Sequence, residues 1–151
     1  MEIIPTTTNH IIDIVDNITL EDMKEFIMYK KYVVKDESSS LMEHLIEACS
    51  RYDVYTMIHK DVVYAVGGEL NGCVWFLTSN QLTESNKEIK RSFIKVMNEH
   101  KERVLDETGF IWNFIWEGNK THISFLKMMG AEFPDETENV PENFKLFIIR
   151  R

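Results

Sequence analysis

The sequence predicts a single mixed α/β domain, residues 1–151, in which a mostly antiparallel sheet carries helices on both faces. Apolar residues recur every three or four positions through roughly the first fifty residues, which is typical of helices. The period then changes to two over residues 53–79, as in strands. A long helical pattern follows, and it separates these strands from another strand, a helix and a last strand. At 151 residues the chain is long enough to bury a core without disulfides or metals.

The first third of the chain predicts one strand and three helices. The alternation in "EIIPTT" indicates a short strand, and a residue among Thr6–Thr8 or Asn9 can cap a helix that begins at His10. The segment "TLEDMKEFIMYKK" predicts a second helix capped by Thr19, with acids in its first turn and lysines in its last. The serines of "SSSLMEHLIEACSR" open a third helix.

Three antiparallel strands follow these helices. The segments "DVYTMIH" and "DVVYAVGG" are separated by Lys60 and Asp61, a spacing that predicts a hairpin. The Asn71-Gly72 pair predicts a second tight turn, because glycine tolerates positive φ. This turn leads into the strand "CVWFLTS".

The second half predicts a long helix over roughly Glu84 to Glu107, with Ser85 and Glu88 as a capping box. The strand "FIWNFIW", the helix "NKTHISFLKMMG" and the strand "NFKLFIIRR" follow, and "PDETENVPEN" is a polar loop. A strand–helix–strand crossover is right-handed, so we expect the strands on either side of the long helix to be parallel neighbours.

Composition narrows the classes of function. With 25 acidic and 17 basic residues the net charge is −8, which disfavours a nucleic-acid partner. Four acids lie in the polar loop, which we interpret as solvated: Asp135, Glu136, Glu138 and Glu142. No apolar run approaches the roughly 18 residues of a membrane span, and no metal-ligand spacing is present. We expect Cys49 and Cys73 to be reduced thiols in a cytosolic compartment.

The element order and the last helix resemble the GNAT acyltransferase superfamily, most strongly over residues 72–133. Asn119 matches the residue that begins the last helix of that pattern, and Gly130 matches its end. The blocks "IVDNITLEDMKEF", "YAVGG", "CVWFLTSNQL" and "WNFIWEGNKTHISFLKMMGAEF" also resemble a phage family that includes internal virion protein A of short-tailed coliphages. The resemblance covers residues 1–133 and implies an acetyltransferase-like phage protein with a phage or host protein as partner. It would lie in the host cytoplasm or in the virion.

The GNAT resemblance implies that the fourth and fifth strands splay apart and hold acetyl-CoA between them. The backbone of four residues would bind its pantetheine arm: Phe76, Leu77, Thr78 and Ser79. The pyrophosphate would lie at the start of the long helix, on a glycine-rich loop. Here the segment "NQLTESNKEIKR" has no glycine, and Glu84 adds negative charge where the phosphate would lie. Only basic residues such as Lys87 and Arg91 compensate for this charge. An ordinary capped helix is the alternative interpretation.

Candidate catalytic residues are few. Many GNAT enzymes carry a tyrosine seven residues after the motif asparagine, and Leu126 stands at that position here. His122, on the same helix, is a competent acid or base near neutral pH. Glu69 and Glu117 follow strands and could act as bases, with ordinary turn carboxylates as the alternative. Asn119 is a candidate cofactor-binding residue or simply an N-cap.

The side-chain amide of Asn113, in the middle of "FIWNFIW", is expected to have a hydrogen-bond partner, because burying an unpaired amide costs about 1–3 kcal/mol. It either pins a neighbouring strand or helix, or lines the opening between splayed strands. Besides a weaker hypothesis, in which CoA or another nucleotide is a structural or inhibitory ligand without chemistry, two hypotheses of function remain open. One is a non-canonical or inactive GNAT-fold phage protein that acts in virion assembly or host interaction. The other is an active acyl-CoA-dependent N-acetyltransferase acting on a protein or small-molecule amine.

Overall fold

A computed structural model describes residues 1–135 and 138–151, and it confirms the predicted mixed α/β fold. The core is one six-stranded sheet in which the strands lie in chain order. All neighbouring strands are antiparallel except the fourth and fifth, which are parallel as predicted. The strands are β1 (Glu2–Pro5), β2 (Val54–His59), β3 (Val62–Leu70), β4 (Cys73–Thr78), β5 (Phe110–Trp116) and β6 (Phe144–Arg150).

Helices cover both faces of this sheet. The helices are α1 (Thr8–Asn17), α2 (Leu20–Tyr29), α3 (Leu41–Arg51), α4 (Asn80–Thr83), α5 (Lys87–Thr108) and α6 (Lys120–Met128). A π-helical turn at Lys30–Val34 extends α2, so the predicted last-turn lysines begin this turn. One buried cluster joins α1, α2 and α3 to β2 and β3, and another joins α5 and α6 to β5 and β6.

Helix caps follow the sequence closely at the amino-terminal end. Thr7 caps α1 with a capping box completed by His10, so this helix begins at Thr8 and not at His10. Thr19 and Ser40 cap α2 and α3 as expected. Hydroxyl groups accept hydrogen bonds from amides that the first helical turn leaves without partners.

The start of the long helix differs from the prediction. Ser85 and Glu88 form no capping box, because the helix begins at Lys87 and Asn86 caps it. The Asn86 Oδ1 atom accepts from the Ile89 amide at 2.9 Å. The segment before it forms the short helix α4, and the Ser85 hydroxyl donates to the Leu82 carbonyl that closes this turn.

Both predicted hairpin turns are present. Lys60 and Asp61 adopt φ values of 49° and 64°, and Asn71 and Gly72 adopt 52° and 86°. Two successive residues with positive φ match the right-handed twist of the flanking strands. In the predicted polar loop, Glu136 lies outside the described residues.

Strands β4 and β5 separate soon after they begin, which gives the sheet an opening. Within residues 1–135 and 138–151 their ladder consists of the pair Cys73–Trp112, and the Trp112 amide donates to the Gly72 carbonyl at 2.9 Å. Asn113 then spans the widening gap, since its Nδ2 atom donates to the Val74 carbonyl at 3.0 Å. The amide therefore pins the neighbouring strand at the edge of the opening.

Candidate functional site

A cavity of about 410 Å³ lies where β4 and β5 diverge, on the face covered by α2 and α3. Its walls are largely apolar and aromatic. Its polar lining side chains include Asp22 and Glu25 of α2 and Asn113 of β5. Asn113 thus meets both expectations, since it pins β4 and also lines the opening.

Asp22 holds α2 against the end of β4. Its side chain is 2% exposed, and its Oδ2 atom accepts from the Thr78 amide at 2.7 Å and from the Thr78 hydroxyl at 2.6 Å. Its Oδ1 atom accepts from Asn119 Nδ2 at 2.9 Å. A buried carboxylate is stable only with such donors, so these three bonds fix both strand and helix in place.

Asn119 connects two carboxylates to the start of α6. It is fully buried, and its Oδ1 atom accepts from the His122 amide at 3.3 Å, which confirms the predicted N-cap. Its Nδ2 atom donates to Glu25 Oε1 at 2.8 Å as well as to Asp22. Capping alone does not require burial, so the acidic partners explain why Asn119 lies inside the protein.

Glu25 has a strongly raised pKa of about 8. Burial is the main cause, because it disfavours the charged form, and the negative charge of Asp22 acts in the same direction. Hydrogen bonds from the Asn119 side chain and the Trp116 backbone oppose the shift. The Glu25 carboxyl group is therefore mostly protonated at neutral pH.

His122 is buried in the structure rather than exposed at the surface. Its Nδ1 atom lies 3.6 Å from Asp22 Oδ1, and its ring packs on Phe76 with centroids 4.2 Å apart. Burial lowers the pKa of His122 while Asp22 raises it, with burial the larger cause. The imidazole is then neutral near pH 7. Its Nε2 atom has no hydrogen-bond partner among the described residues.

The two predicted glutamate bases lie away from this network. Glu69 lies within β3 and not after it, and its Oε1 atom accepts from the Gly72 amide in the hairpin turn at 3.1 Å. Glu117 is exposed in the turn after β5, and its backbone amide donates to the Asn143 carbonyl. Neither residue lines the cavity.

Some backbone groups of the strand predicted to bind pantetheine already form hydrogen bonds within the protein. Phe76 and Leu77 line the cavity. The Thr78 amide donates to Asp22, and the Thr78 carbonyl accepts from the Thr19 amide at 3.0 Å. Ser79 is fully buried, and its amide donates to the Tyr64 carbonyl while its hydroxyl caps α4.

The predicted phosphate-binding residues are exposed at the start of α5. Lys87 and Arg91 point outward from a helix whose first turn is already capped by Asn86.

Across the two described ranges, no group of three His, Cys, Asp or Glu side chains is placed to hold a metal ion. None of the helices in this part of the chain is long and apolar enough to cross a membrane.

Sequence reasoning did not select Asp22 and Glu25, although both line the cavity. A usable signal was present for Asp22, because it stands four residues before Phe26 and therefore on the apolar face of α2. Glu25 carries no comparable signal, since its burial depends on Asn119, 94 residues away.

Solved structures confirm the GNAT fold over the whole chain. The chain is similar to smu.2055 of Streptococcus mutans UA159, with a TM-score of 0.63, 13% identity and 99% of each chain covered. An acetyltransferase of Streptococcus agalactiae 2603 matches with a TM-score of 0.59 and 11% identity, over 99% of this chain and 98% of that one. The structure of yncA from Salmonella typhimurium with its cofactor acetyl-CoA matches with a TM-score of 0.60 and 11% identity, over 99% and 93%.

Sequence relatives identify a phage family. A protein of Escherichia phage T7 described as probable scaffold protein gp13 is 37% identical over 87 residues, which span 58% of this chain and 62% of the relative. This family is thus described as a scaffold protein and not, as the sequence resemblance suggested, as internal virion protein A. The family model of bacteriophage T7 probable scaffold protein Gp13 matches residues 53–138, more than half of the chain, so the chain belongs to the Gp13 family.

Proposed function

We propose that this protein acts in phage virion assembly by binding a phage or host protein, and that it does so without acyl transfer. The observation that carries the proposal is the hydrogen bond from the Thr78 amide to Asp22 at 2.7 Å. That amide belongs to the strand segment expected to bind pantetheine. A carboxylate of the protein's own helix α2 now occupies it.

Displacing this carboxylate is costly. Asp22 would lose the amide and hydroxyl of Thr78 while remaining buried, and leaving a buried charge with fewer donors is strongly unfavourable. The start of α5 adds to the argument. It has no glycine to bring backbone amides close to a pyrophosphate, and Glu84 and Glu88 flank its cap.

The assembly role is supported by the Gp13 family, whose T7 member is described as a probable scaffold protein. Scaffolding requires contacts with other proteins, and the net charge of −8 fits a protein partner better than nucleic acid. We place the protein in the host cytoplasm during assembly, in association with the forming virion.

Thermal melting with millimolar acetyl-CoA, and separately with CoA, tests the proposal. We expect no change in melting temperature. A ligand that binds only the native state adds about 2.7 kcal/mol at 100 times its Kd, which corresponds to several degrees for a domain of this size. An acetyltransferase known to bind acetyl-CoA, melted in the same buffers, is the positive control. A saturable shift with this protein would overturn the proposal.

An active N-acetyltransferase is the second candidate. Its support is the buried Nε2 atom of His122, which has no hydrogen-bond partner among the described residues, together with the match to a solved structure that contains acetyl-CoA. Acetyl transfer to an amine, measured with the wild type and with His122→Gln, tests it. Glu117→Gln is the matched control, because Glu117 is exposed and outside the network. Transfer that His122→Gln alone abolishes would favour this candidate.

A further inference from the structure

We propose that the solvent-facing side of α2 is a docking surface for an amphipathic helix of another protein, one whose apolar stripe is flanked by acidic residues. The inference deepens the proposed function and rests on it, because a protein that acts in assembly through contacts needs such a surface. Four residues define this surface, which we call the α2 ridge: Leu20, Lys24, Ile27 and Lys31. None of the four lines the cavity at β4 and β5.

The spacing of the ridge residues brings them onto one side of α2. They follow one another at intervals of four, three and four residues, which is the spacing of neighbours along one face of a helix. The buried residues Asp22 and Phe26 lie on the opposite side. All four ridge residues are exposed, Leu20 at 63% and Ile27 at 46%. The helix α2 therefore presents two aliphatic and two basic side chains to solvent in one row.

The aliphatic residues of the ridge have the spacing of a helix-packing seam. Single exposed apolar residues are ordinary on a protein surface, but Leu20 and Ile27 stand seven residues apart, as along the seam of a coiled coil. A third exposed aliphatic residue, Val34, follows after another seven residues, in the π-helical turn. A second helix packed along the ridge would remove Leu20 and Ile27 from water, which favours association.

The two lysines of the ridge determine the charge of the partner. Within residues 1–135 and 138–151, neither Lys24 nor Lys31 forms an ion pair with a carboxylate. Among the acids of α2, Asp22 is buried and Glu25 is half-buried, whereas Glu21 is exposed. The whole chain carries a net charge of −8, so this basic row is a local exception. Glutamates that flank the seam of a partner helix would pair with both lysines.

Neither a second copy of this chain nor a membrane fits the ridge as well. Two parallel α2 helices would place Lys24 beside Lys24, and two antiparallel ones would place Lys24 beside Lys31, so like charges meet in both arrangements. A lipid surface binds helices that offer it a wide apolar face. The apolar face of α2 around Phe26 is already buried in the core, and the ridge adds two aliphatic side chains.

A pair of labelled peptides tests the charge of the partner. Both are three heptads long with leucine along the seam, and one carries glutamate at the flanking positions where the other carries lysine. We expect the glutamate peptide to bind at least about tenfold more tightly at low salt, and this preference to shrink as salt screens the charges. Fluorescence anisotropy measures both affinities. Equal affinities, or no binding of the glutamate peptide, would overturn the proposal.

Charge reversal on the ridge tests the location of the site. In a double variant with Lys24→Glu and Lys31→Glu, we expect the preference to invert, so that the lysine peptide binds more tightly. The matched control combines Lys90→Glu and Lys95→Glu, because these two lysines are exposed on α5. It should prefer the glutamate peptide as the wild type does. A preference for the glutamate peptide that survives charge reversal on the ridge would overturn the assignment.

The aliphatic residues of the ridge are tested separately. We expect Leu20→Gln and Ile27→Gln each to weaken binding of the glutamate peptide by about fivefold, because each removes an apolar contact with the seam. Ile46→Gln is the control, since Ile46 is 51% exposed on α3 and lies outside the ridge. Unchanged affinity in both ridge variants would show that the peptide does not pack along α2 and would overturn the proposal.

Two further measurements separate the remaining outcomes. Vesicles of phosphatidylglycerol are the probe for a lipid surface, and we expect the protein not to bind them. Vesicle binding that charge reversal at Lys24 and Lys31 abolishes would overturn the proposal in favour of a membrane. A melting shift with acetyl-CoA would overturn the proposed function and leave peptide binding intact. Absence of peptide binding without a melting shift would overturn this inference alone.

Discussion

Burial controls the ionisation of Glu25, whose pKa of about 8 exceeds the ordinary value of 4.5. In the folded state Glu25 therefore keeps a proton that the unfolded chain releases between these two values. Its contribution to stability is complete below pH 4.5 and is lost as the pH rises through 8. Histidines whose pKa values are lowered by burial act in the opposite sense, but only below about their ordinary value of 6.5.

We predict that the free energy of unfolding falls between about pH 7 and pH 8, by at most about 1.4 kcal/mol per pH unit. Urea denaturation at several pH values in this window measures the slope. In Glu25→Gln the slope should disappear, because the amide does not titrate. Glu21→Gln should keep the wild-type slope, and a slope that persists in Glu25→Gln would assign the titration to another group.

Single residues were predictable where the interaction is local. Asn119 was expected to be a cofactor-binding residue or an N-cap, and it caps α6. Asn113 was expected to find a partner or to line the opening. The burial of Asn119 was not predictable, because its acidic partners lie 97 and 94 residues away on α2. The burial of His122 beside Asp22 was not predictable for the same reason.

At the scale of elements, the residue at which α5 begins determines the structure of the segment between β4 and α5. The short helix α4 takes up residues that the sequence assigned to the beginning of the long helix. Asn86 then satisfies the Ile89 amide at 2.9 Å. A helix start that is capped by its own chain has one amide fewer to offer to an anion.

We predict that Asn86→Ala lowers the free energy of unfolding by about 1 kcal/mol, because it removes the cap of α5. Asn86→Ser should restore most of this loss, since serine and asparagine are comparable N-caps. Thermal or urea denaturation measures both variants. An Asn86→Ala protein as stable as the wild type would mean that another residue caps the helix.

Most elements could be predicted because their signals are local. Alternation identified the strands, and Lys60-Asp61 and Asn71-Gly72 marked the turns that adopt positive φ. The beginning of α5 was misplaced because Ser85 and Glu88 fit the capping-box pattern, whereas the chain uses Asn86 one residue later. The pattern alone does not decide between two polar residues that are both competent caps.

At the scale of the whole molecule, two buried clusters pack on opposite faces of a sheet that is open between β4 and β5. The contacts of Asp22 with Thr78 and Asn119 cross this opening and connect α2, β4 and the start of α6. The stability of the two halves is therefore coupled through a few buried polar groups.

We predict that Asp22→Ala and Asn119→Ala each lower the free energy of unfolding by about 1–3 kcal/mol, because each leaves buried donors or acceptors without partners. The double variant should lose less than the sum by at least about 0.5 kcal/mol, since both changes remove the same contact. Urea denaturation of the four proteins completes the cycle. The pair Glu21→Ala and Asn119→Ala is the control, and it should be additive. Additivity for Asp22 and Asn119 would show that the network does not couple them.

The sequence predicted the fold class and the parallel pair, because strand order and crossover handedness limit the alternatives. The splay of these two strands was expected from the GNAT resemblance. The hydrogen bond between Asp22 and the Thr78 amide was not predictable. It depends on where α2 lies against β4, and that placement follows from the packing of Phe26 and its neighbours in the core.

The Asp22 carboxylate also acts as an intramolecular competitor. It is held 2.7 Å from the Thr78 amide by the fold itself, so a ligand can bind that amide only in molecules in which Asp22 has moved away. The apparent affinity of such a ligand is its intrinsic affinity reduced by the fraction of molecules in that state. A protein built in this way keeps the divergence of β4 and β5, while a carboxylate of its own helix α2 accepts the hydrogen bond of the Thr78 amide.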